Sequence, residues 1–208
     1  MHDKHCHILP GVDDGSPDLE TSVKMLKAAQ AAGITRITAT PHLYEVKESY
    51  LNAVHRAFEQ LKPEASALGI PLDLGFEVNY AVLADQPLDS LKRFAANNRL
   101  LLELPTGYPF PGQTELLKQL AELYKLTIAH PERYAYWNPA DTQYNILVSA
   151  TSLSSGLFSP ITRKGKKLLK AGNPLASDAH TPEDYKWVKS VLLAFPPEEG
   201  GRCPVRGG

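Results

Sequence analysis

Cysteine is almost missing from this 208-residue chain. Cys6 and Cys203 are the only two, too few for a disulfide framework. No apolar run approaches the roughly 20 residues that a membrane-spanning helix needs. A surplus of charge of either sign is missing too, with 22 Lys and Arg against 23 Asp and Glu. That balance argues against nucleic-acid binding and against a polybasic membrane contact. The opening MHDKHCHIL has no basic region leading into an apolar one, so no signal peptide is expected and the expected location is the cytoplasm. No low-complexity segment or interdomain linker interrupts the pattern.

Apolar residues make up 43% of the chain, enough for a buried core, and they recur with two alternating periods. Strands are expected at KHCHIL (4–9), 34–42, 71–77, 99–105, 126–132, 145–151 and 174–180. Helices are expected at 19–32, 49–68, 87–97, 113–124, 161–171 and 183–194, with only a short, weak one around 138–144. Strand–helix alternation predicts a parallel sheet with helices outside, and about 30 residues per unit is the size of a βα repeat. An open sheet and a closed barrel both satisfy the pattern. The stretch FPPEEGGRCPVRGG (195–208) has neither period and is expected to fray.

Imidazoles and carboxylates gather where these strands end. His5 and His7 lie on the first, with Asp14 in the loop beyond; His42 closes the second, Glu77 the third, Glu103 the fourth, His130 the fifth, and Asp178 and His180 the seventh. The C-terminal ends of parallel strands converge on one face, where α/β proteins place their sites. Residues two apart on a strand share a face, so His5 pairs with His7 and Asp178 with His180, while Cys6 and Ala179 turn away. Asp3 shares the face of His5 and is expected to orient an imidazole. A lone strand histidine is most often an ordinary core or surface residue; nine donors drawn from six strands at one end are not. His2 and His55 receive no role.

Four carboxylates at one rim repel unless positive charge joins them, and divalent ions supply it. Imidazole and carboxylate without thiolate suit Mn, Fe, Zn or Mg. Nine donors exceed the needs of one ion and suit two or three. Three divalent ions would leave the site net positive and attractive to a dianion such as a phosphate monoester.

The motifs DKHCHILPGVDDGS, TPH, GFEVNY, LLELP, IAHPERY and ASDAH resemble those of the polymerase and histidinol phosphatase (PHP) superfamily. More narrowly, they resemble the bacterial manganese-dependent protein tyrosine phosphatases of capsule and exopolysaccharide loci. The resemblance runs to His180 with the motifs in order. It implies a distorted (β/α)7 TIM-like barrel, placed over 1–195, and a manganese centre; the patternless tail over 196–208 departs from the family, which usually continues through another helix. The ligand positions it implies are His5, His7, Asp14, His42, Glu77, Glu103, His130, Asp178 and His180, with Asp13 the alternative to Asp14. It places a phosphate-binding arginine at Arg133, and implies a phosphotyrosine protein substrate, the tail of a bacterial tyrosine kinase, with no nucleic acid and no membrane insertion. The family's second arginine, after the SDxH motif, is replaced here by SDAHTPEDYKWVK, where only Lys186 and Lys189 offer substitutes.

The chemistry expected is metal-assisted phosphomonoester hydrolysis. A cysteine nucleophile is excluded, since neither cysteine opens a Cys-x5-Arg loop. The aromatics of PTGYPFPGQ (105–113) could stack on a phosphotyrosine ring or pack the loop. A small-molecule phosphoesterase of the histidinol phosphatase kind and a non-catalytic PHP-like binding module are the rival readings.

Overall fold

The computed structural model describes residues 1–138, 143–154, 156 and 159–195. The expected tail over 196–208, Cys203 and most of the weak 138–144 connection lie outside the described residues.

The fold is mixed α/β with a curled parallel sheet. Strands β1 (His2–Asp3), β2 (Arg36–Ala39) and β4 (Leu72–Leu74) pair in the order β1-β2-β4. A second set runs β3 (His42–Leu43), β5 (Glu77–Asn79), β6 (Leu101–Glu103), β7 (Thr127–Ala129), β8 (Asn145–Ser149) and β9 (Leu175–Ala176) in that order. Every pair is parallel. The two sets are successive parts of the same chain passes. Thr40 and Pro41 separate β2 from β3, where proline has no N–H to give. Gly75 and Phe76 separate β4 from β5, where the Phe76 N–H leaves the sheet to reach the Phe94 carbonyl at 3.1 Å. The single strands expected at 34–42 and 71–77 are therefore each two short ones.

The first strand also differs from expectation. Regular pairing ends at Asp3, and His5 and His7 flank an isolated parallel bridge between Cys6 and Ala179. Around it the Asp178 N–H donates to the His5 carbonyl at 2.8 Å, and the His7 N–H to the Ala179 carbonyl at 2.9 Å. These bonds tie the chain after β9 to the chain after β1.

Helices α1 (Leu19–Ala31), α2 (Glu48–Ala67), α3 (Gln113–Leu123), α4 (Pro160–Lys170) and α5 (Tyr185–Ala194) fall close to the expected ranges. In α1 the Asp18 carboxylate accepts from the Thr21 N–H at 2.7 Å and caps the helix. Ser22, Met25, Leu26 and Ala29 form its buried stripe. Gly33, at φ +85°, ends it in a conformation that only glycine adopts freely. The helix expected near 87–97 is a 3-10 turn, Leu88–Phe94, which buries only Leu91 and Phe94. Two buried positions three apart fit the three-residue turn of a 3-10 helix.

Alternation along the strands sorts the core. Leu102, Ile128, Ile146, Val148 and Leu175 pack with the helices in the main cluster. Their neighbours Leu101, Ala129, Leu147 and Ala176 form a separate inner cluster on the other face. That inner plug lies beneath the strand ends that carry the polar residues.

Candidate metal centre

All nine strand-end donors fall into four overlapping groups, each with ligand atoms within 4.8 Å of one another. The groups are His7, Asp14, His42 and His180; His5, Glu77 and His130; His5, His7 and Asp178; and His42, Glu77 and Glu103.

Glu77 is the hub. It opens β5 and is fully buried. Its Oε1 accepts from His130 Nε2 at 2.8 Å. Its Oε2 lies 3.1 Å from His5 Nε2, 3.1 Å from His42 Nδ1 and 3.3 Å from His7 Nε2. None of these three contacts has hydrogen-bond geometry: Glu77 Oε2 and His42 Nδ1 are buried with no hydrogen-bond partner. His5 Nε2 and His7 Nε2 also face each other at 3.3 Å. Three imidazole nitrogens that crowd one carboxylate oxygen without hydrogen-bonding it fit a shared cation, and the nitrogen and oxygen set suits a divalent one.

Asp178 and His130 reach the cluster through unusual backbone. His130 sits at φ +31° and Asp178 at φ +52°, in the left-handed region that side-chain-bearing residues rarely occupy. Strain of this kind concentrates at functional sites. The turn re-aims His130, which simple alternation after the inner-facing Ala129 would send to the helical face. Asp178 Oδ1 lies 3.5 Å from both His5 Nε2 and His7 Nε2. Its Oδ2 accepts from Ser149 Oγ at 2.9 Å, Thr151 Oγ1 at 3.1 Å and the Arg133 guanidinium.

The doubled aspartate divides its work. Asp14 is 69% exposed, and its Oδ1 stands 3.4 Å from His42 Nε2 and 3.4 Å from His180 Nε2, at the mouth of the cluster. Asp13 sits behind it. Its Oδ2 accepts from His7 Nδ1 at 2.8 Å and from the His42 N–H at 3.1 Å, and its Oδ1 from the Gly15 N–H at 3.1 Å. This second-rank carboxylate fixes the ring of His7 with Nε2 inward. Gly15 permits the tight loop: a Cβ there would stand 2.0 Å from the His7 carbonyl oxygen.

Asp3 does not do what its strand position predicts. Its Oδ1 accepts from the Ser177 N–H at 2.9 Å and the His5 N–H at 3.4 Å. It ties backbone to backbone under the site and orients no ring. Glu103 takes Asn79 Nδ2 at 2.8 Å and stands 3.9 Å from His130 Nε2.

The electrostatics record a demand for positive charge. Burial alone would raise the Glu77 and Asp178 carboxyls, yet surrounding imidazoles hold both well below the usual carboxylate range. Arg133 adds to the effect on Asp178. Burial alone would lower His7, yet Asp13, Asp178 and Glu77 push it well above its ordinary value. His42 and His130 are also raised against burial, chiefly by Glu77.

Arg133 closes a 3-10 turn after His130. Its Nε donates to Ser152 Oγ at 2.7 Å, and its Nη2 to Thr151 Oγ1 at 3.2 Å, Ser149 Oγ at 3.3 Å and Asp178. The two lysines that could stand for a second arginine are exposed on α5; Lys186 lies over Trp187, and neither touches the cluster among the described residues. Of the 105–113 aromatics, Phe110 packs against Tyr80 with ring centroids 5.5 Å apart, while Tyr108 is 85% exposed. The aromatic nearest the cluster is Tyr44, which stacks on His42 at 5.1 Å. It lines a cavity of about 320 Å³ with Asp14, Lys47 and Tyr50. Sequence reasoning left the 43–50 loop unread, and no periodicity marks Tyr44.

Shared donors from six strand ends, carboxylates held from behind and an open mouth at Asp14 form a candidate metal-binding site with four overlapping donor groups. Residues 1–185 match the family described as capsular polysaccharide synthesis, CpsB/CapC, and the chain belongs to that family. It is 32% identical to the tyrosine-protein phosphatase YwqE of Bacillus subtilis (strain 168), over 98% of this chain and 87% of that protein. CapC of Staphylococcus aureus is 29% identical over 87% of this chain and 77% of its own. A solved structure from a study of YwqE and of CpsB from Streptococcus pneumoniae, titled as metal-dependent tyrosine phosphatases, superposes with a TM-score of 0.73 at 29% identity. It covers 95% of this chain and 89% of that one.

Proposed function

We propose that this chain is a metal-dependent protein tyrosine phosphatase of capsule synthesis, with two or three divalent ions, manganese foremost, at the nine-residue cluster. The observation that carries the reading is the convergence of three imidazoles on Glu77 Oε2 at 3.1–3.3 Å without hydrogen-bond geometry. Family membership and the names of its relatives supply the substrate class. The finer fold reading is a distorted (β/α)7 PHP barrel over 1–195 with an irregular tail over 196–208, supported by the bonds around Cys6 and Ala179. The substrate in this reading is a phosphorylated tyrosine kinase tail, met in the cytoplasm.

His5, His7, Asp14, His42, Glu77, Glu103, His130, Asp178 and His180 would hold the ions. Such ions stabilise charge on phosphoryl oxygens and lower the pKa of water. The chain's own residues do the rest. Asp13 keeps His7 aimed inward, and the Ser149–Thr151–Arg133 group keeps Asp178 Oδ1 facing the cluster. Arg133 is one-third exposed, so its guanidinium also offers an edge to the phosphate. Tyr44 forms an aromatic wall beside the mouth, where a phenyl ring stacks. A phenolate leaving group, with an intrinsic pKa of about 10, needs little protonation, so the reading requires no dedicated acid.

Turnover of p-nitrophenyl phosphate and of phosphotyrosine and phosphoserine peptides, with Mn²⁺ and with chelator, tests the reading. Mn²⁺-dependent turnover with phosphotyrosine preferred is expected. No turnover with any divalent metal would leave the binding-module reading standing; equal turnover of alkyl phosphates would favour the small-molecule phosphoesterase. Arg133→Lys should lower kcat/KM by about 10–100-fold, since lysine keeps the charge and loses the planar fork that holds Asp178 and meets phosphate. Unchanged kinetics would remove Arg133 from both tasks.

A further inference from the structure

From Thr142 to Ser177 the sequence holds no Asp or Glu, in a chain that otherwise balances its charges. Helix α4 lies within that stretch and carries Arg163, Lys164, Lys166, Lys167 and Lys170. Lys164 turns inward, its Nζ donating to the Tyr134 carbonyl at 2.5 Å. The other four stand at i, i+3, i+4 and i+7, which is one stripe on a helix. Thr162, Gly165 and Leu168 on the opposite side are buried. Arg163, Lys167 and Lys170 are exposed and Lys166 is half-buried. Among the described residues none of the four has a carboxylate within ion-pair distance. Lys24 on α1 and Lys62 on α2 differ, with Glu20 at 2.7 Å and Glu59 at 3.6 Å on their own helices.

The stripe works against the helix that bears it. Like charges three and four residues apart repel. Cations are favourable toward a helix C-terminus, where Lys167 and Lys170 stand, and unfavourable toward the N-terminus. Helices α1, α2 and α3 each place a glutamate in the first turn, Glu20, Glu48 and Glu115. Helix α4 has no acidic residue there and brings Arg163 instead. Helix stability therefore does not account for the pattern, and a partner outside the helix does.

Its position points to the partner. Helix α4 follows β8 and the turn Thr151–Ser154, whose Thr151 and Ser152 hold Arg133. The bond from Lys164 to Tyr134 fixes the helix beside the residue after Arg133. Because β8 and β9 are parallel, α4 must run from the metal-cluster end of the fold back to the opposite end. The stripe thus starts at the cluster end and extends away from it for about 10 Å, at 1.5 Å per residue. That is the reach of about three extended residues.

We infer that this stripe docks an acidic segment of the phosphoprotein substrate, with Asp and Glu residues a few positions from the phosphotyrosine. The inference rests on the phosphatase reading for what enters the cluster, and goes beyond it by naming the sequence around the phosphotyrosine. Charge complementarity selects the occupant, and a ladder one side chain wide matches one extended chain. A lipid surface fits less well. Helices that lie on membranes insert an apolar face, and Leu168 and Leu169 of α4 pack into the main core.

The test uses the full Mn²⁺-loaded chain and two phosphotyrosine peptides that differ only in flanking residues, Asp and Glu in one, Ser and Gln in the other. The acidic peptide should have a kcat/KM about tenfold higher, carried by KM, because several individually weak exposed pairs act together. The preference should shrink as salt is raised. The quadruple variant Arg163→Gln, Lys166→Gln, Lys167→Gln, Lys170→Gln should treat the two peptides alike while keeping p-nitrophenyl phosphate turnover. Fluorescence anisotropy of the same two peptides without phosphate reads the stripe apart from catalysis. Tighter binding of the acidic one by wild type, lost in the variant, supports docking even if p-nitrophenyl phosphate is never turned over, an outcome that overturns only the phosphatase reading. Turnover of p-nitrophenyl phosphate with equal kcat/KM for both peptides overturns the docking inference. So does a preference that survives the quadruple variant, or a stripe that binds anionic vesicles and distinguishes no peptide.

Discussion

Glu77→Gln should lower aryl-phosphate turnover by about 10³-fold, the largest effect of any single conservative change in this chain. The scale follows from the several kcal/mol of charge stabilisation that bound ions supply, with each ~1.4 kcal/mol worth tenfold in rate. Glutamine keeps the shape of the side chain but removes its charge and turns one acceptor oxygen into a donor. Glu77 has no oxygen to spare: Oε1 is bonded to His130 Nε2, and Oε2 is the point that His5, His7 and His42 approach. With either amide orientation, an NH₂ group faces imidazole nitrogens that should be aimed at a cation. The variant should bind fewer Mn²⁺ per chain by elemental analysis while keeping wild-type far-ultraviolet circular dichroism. Full metal content with turnover within tenfold of wild type would show that Glu77 is not the hub of the centre.

Much of this was legible in the sequence, for a definable reason. Strand and helix periods differ, so the order of elements could be read. Strand ends in a parallel α/β fold converge, so His42, Glu77, Glu103 and His180 could be placed together before any geometry was known. What periodicity cannot carry is backbone that departs from it. The break at Pro41, the left-handed turns at His130 and Asp178, and the loss of pairing after Asp3 each depend on tertiary contacts. Asp3 shows the limit of face arguments: it shares a face with His5, yet its Oδ1 accepts from the Ser177 N–H at 2.9 Å and from no ring. The division of work between Asp13 and Asp14, and the place of Tyr44, were beyond reach for a different reason. Their importance comes from loop conformation, and loops carry no period to read.

The split between buried and exposed donors has a consequence for turnover. Glu77, His5, His7, His130 and Asp178 are buried and held by hydrogen bonds or by one another. Asp14 is largely open to solvent, beside the cavity that Tyr44 walls. In the proposed reading the buried inner half would position the ions, while the exposed outer edge at Asp14 would stay accessible to a protein-borne phosphate. This asymmetry is what a macromolecular substrate requires, since the reacting group must reach the centre without the whole ligand being enclosed.

Stripping the protein of divalent ions should abolish turnover and lower Tm by about 5–10 °C, both restored by Mn²⁺. Ligand binding to the native state alone stabilises by about 2.7 kcal/mol at a hundredfold excess over Kd, and a domain of this size shifts by about 2–4 °C per kcal/mol. The physical source is local. Four carboxylates and five imidazoles share one rim, and without ions the positive charge beside the carboxylates comes, among the described residues, from protonated imidazoles and Arg133. The fold should nevertheless persist, because the main core between sheet and helices is continuous and contains none of the nine donors. Differential scanning calorimetry of chelated, Mn²⁺-restored and untreated protein separates the two effects. Loss of turnover with an unchanged Tm would mean that the catalytic ion binds somewhere other than this buried cluster. A chelated protein that unfolds outright would mean that the cluster, and not the apolar core, holds the strands in register.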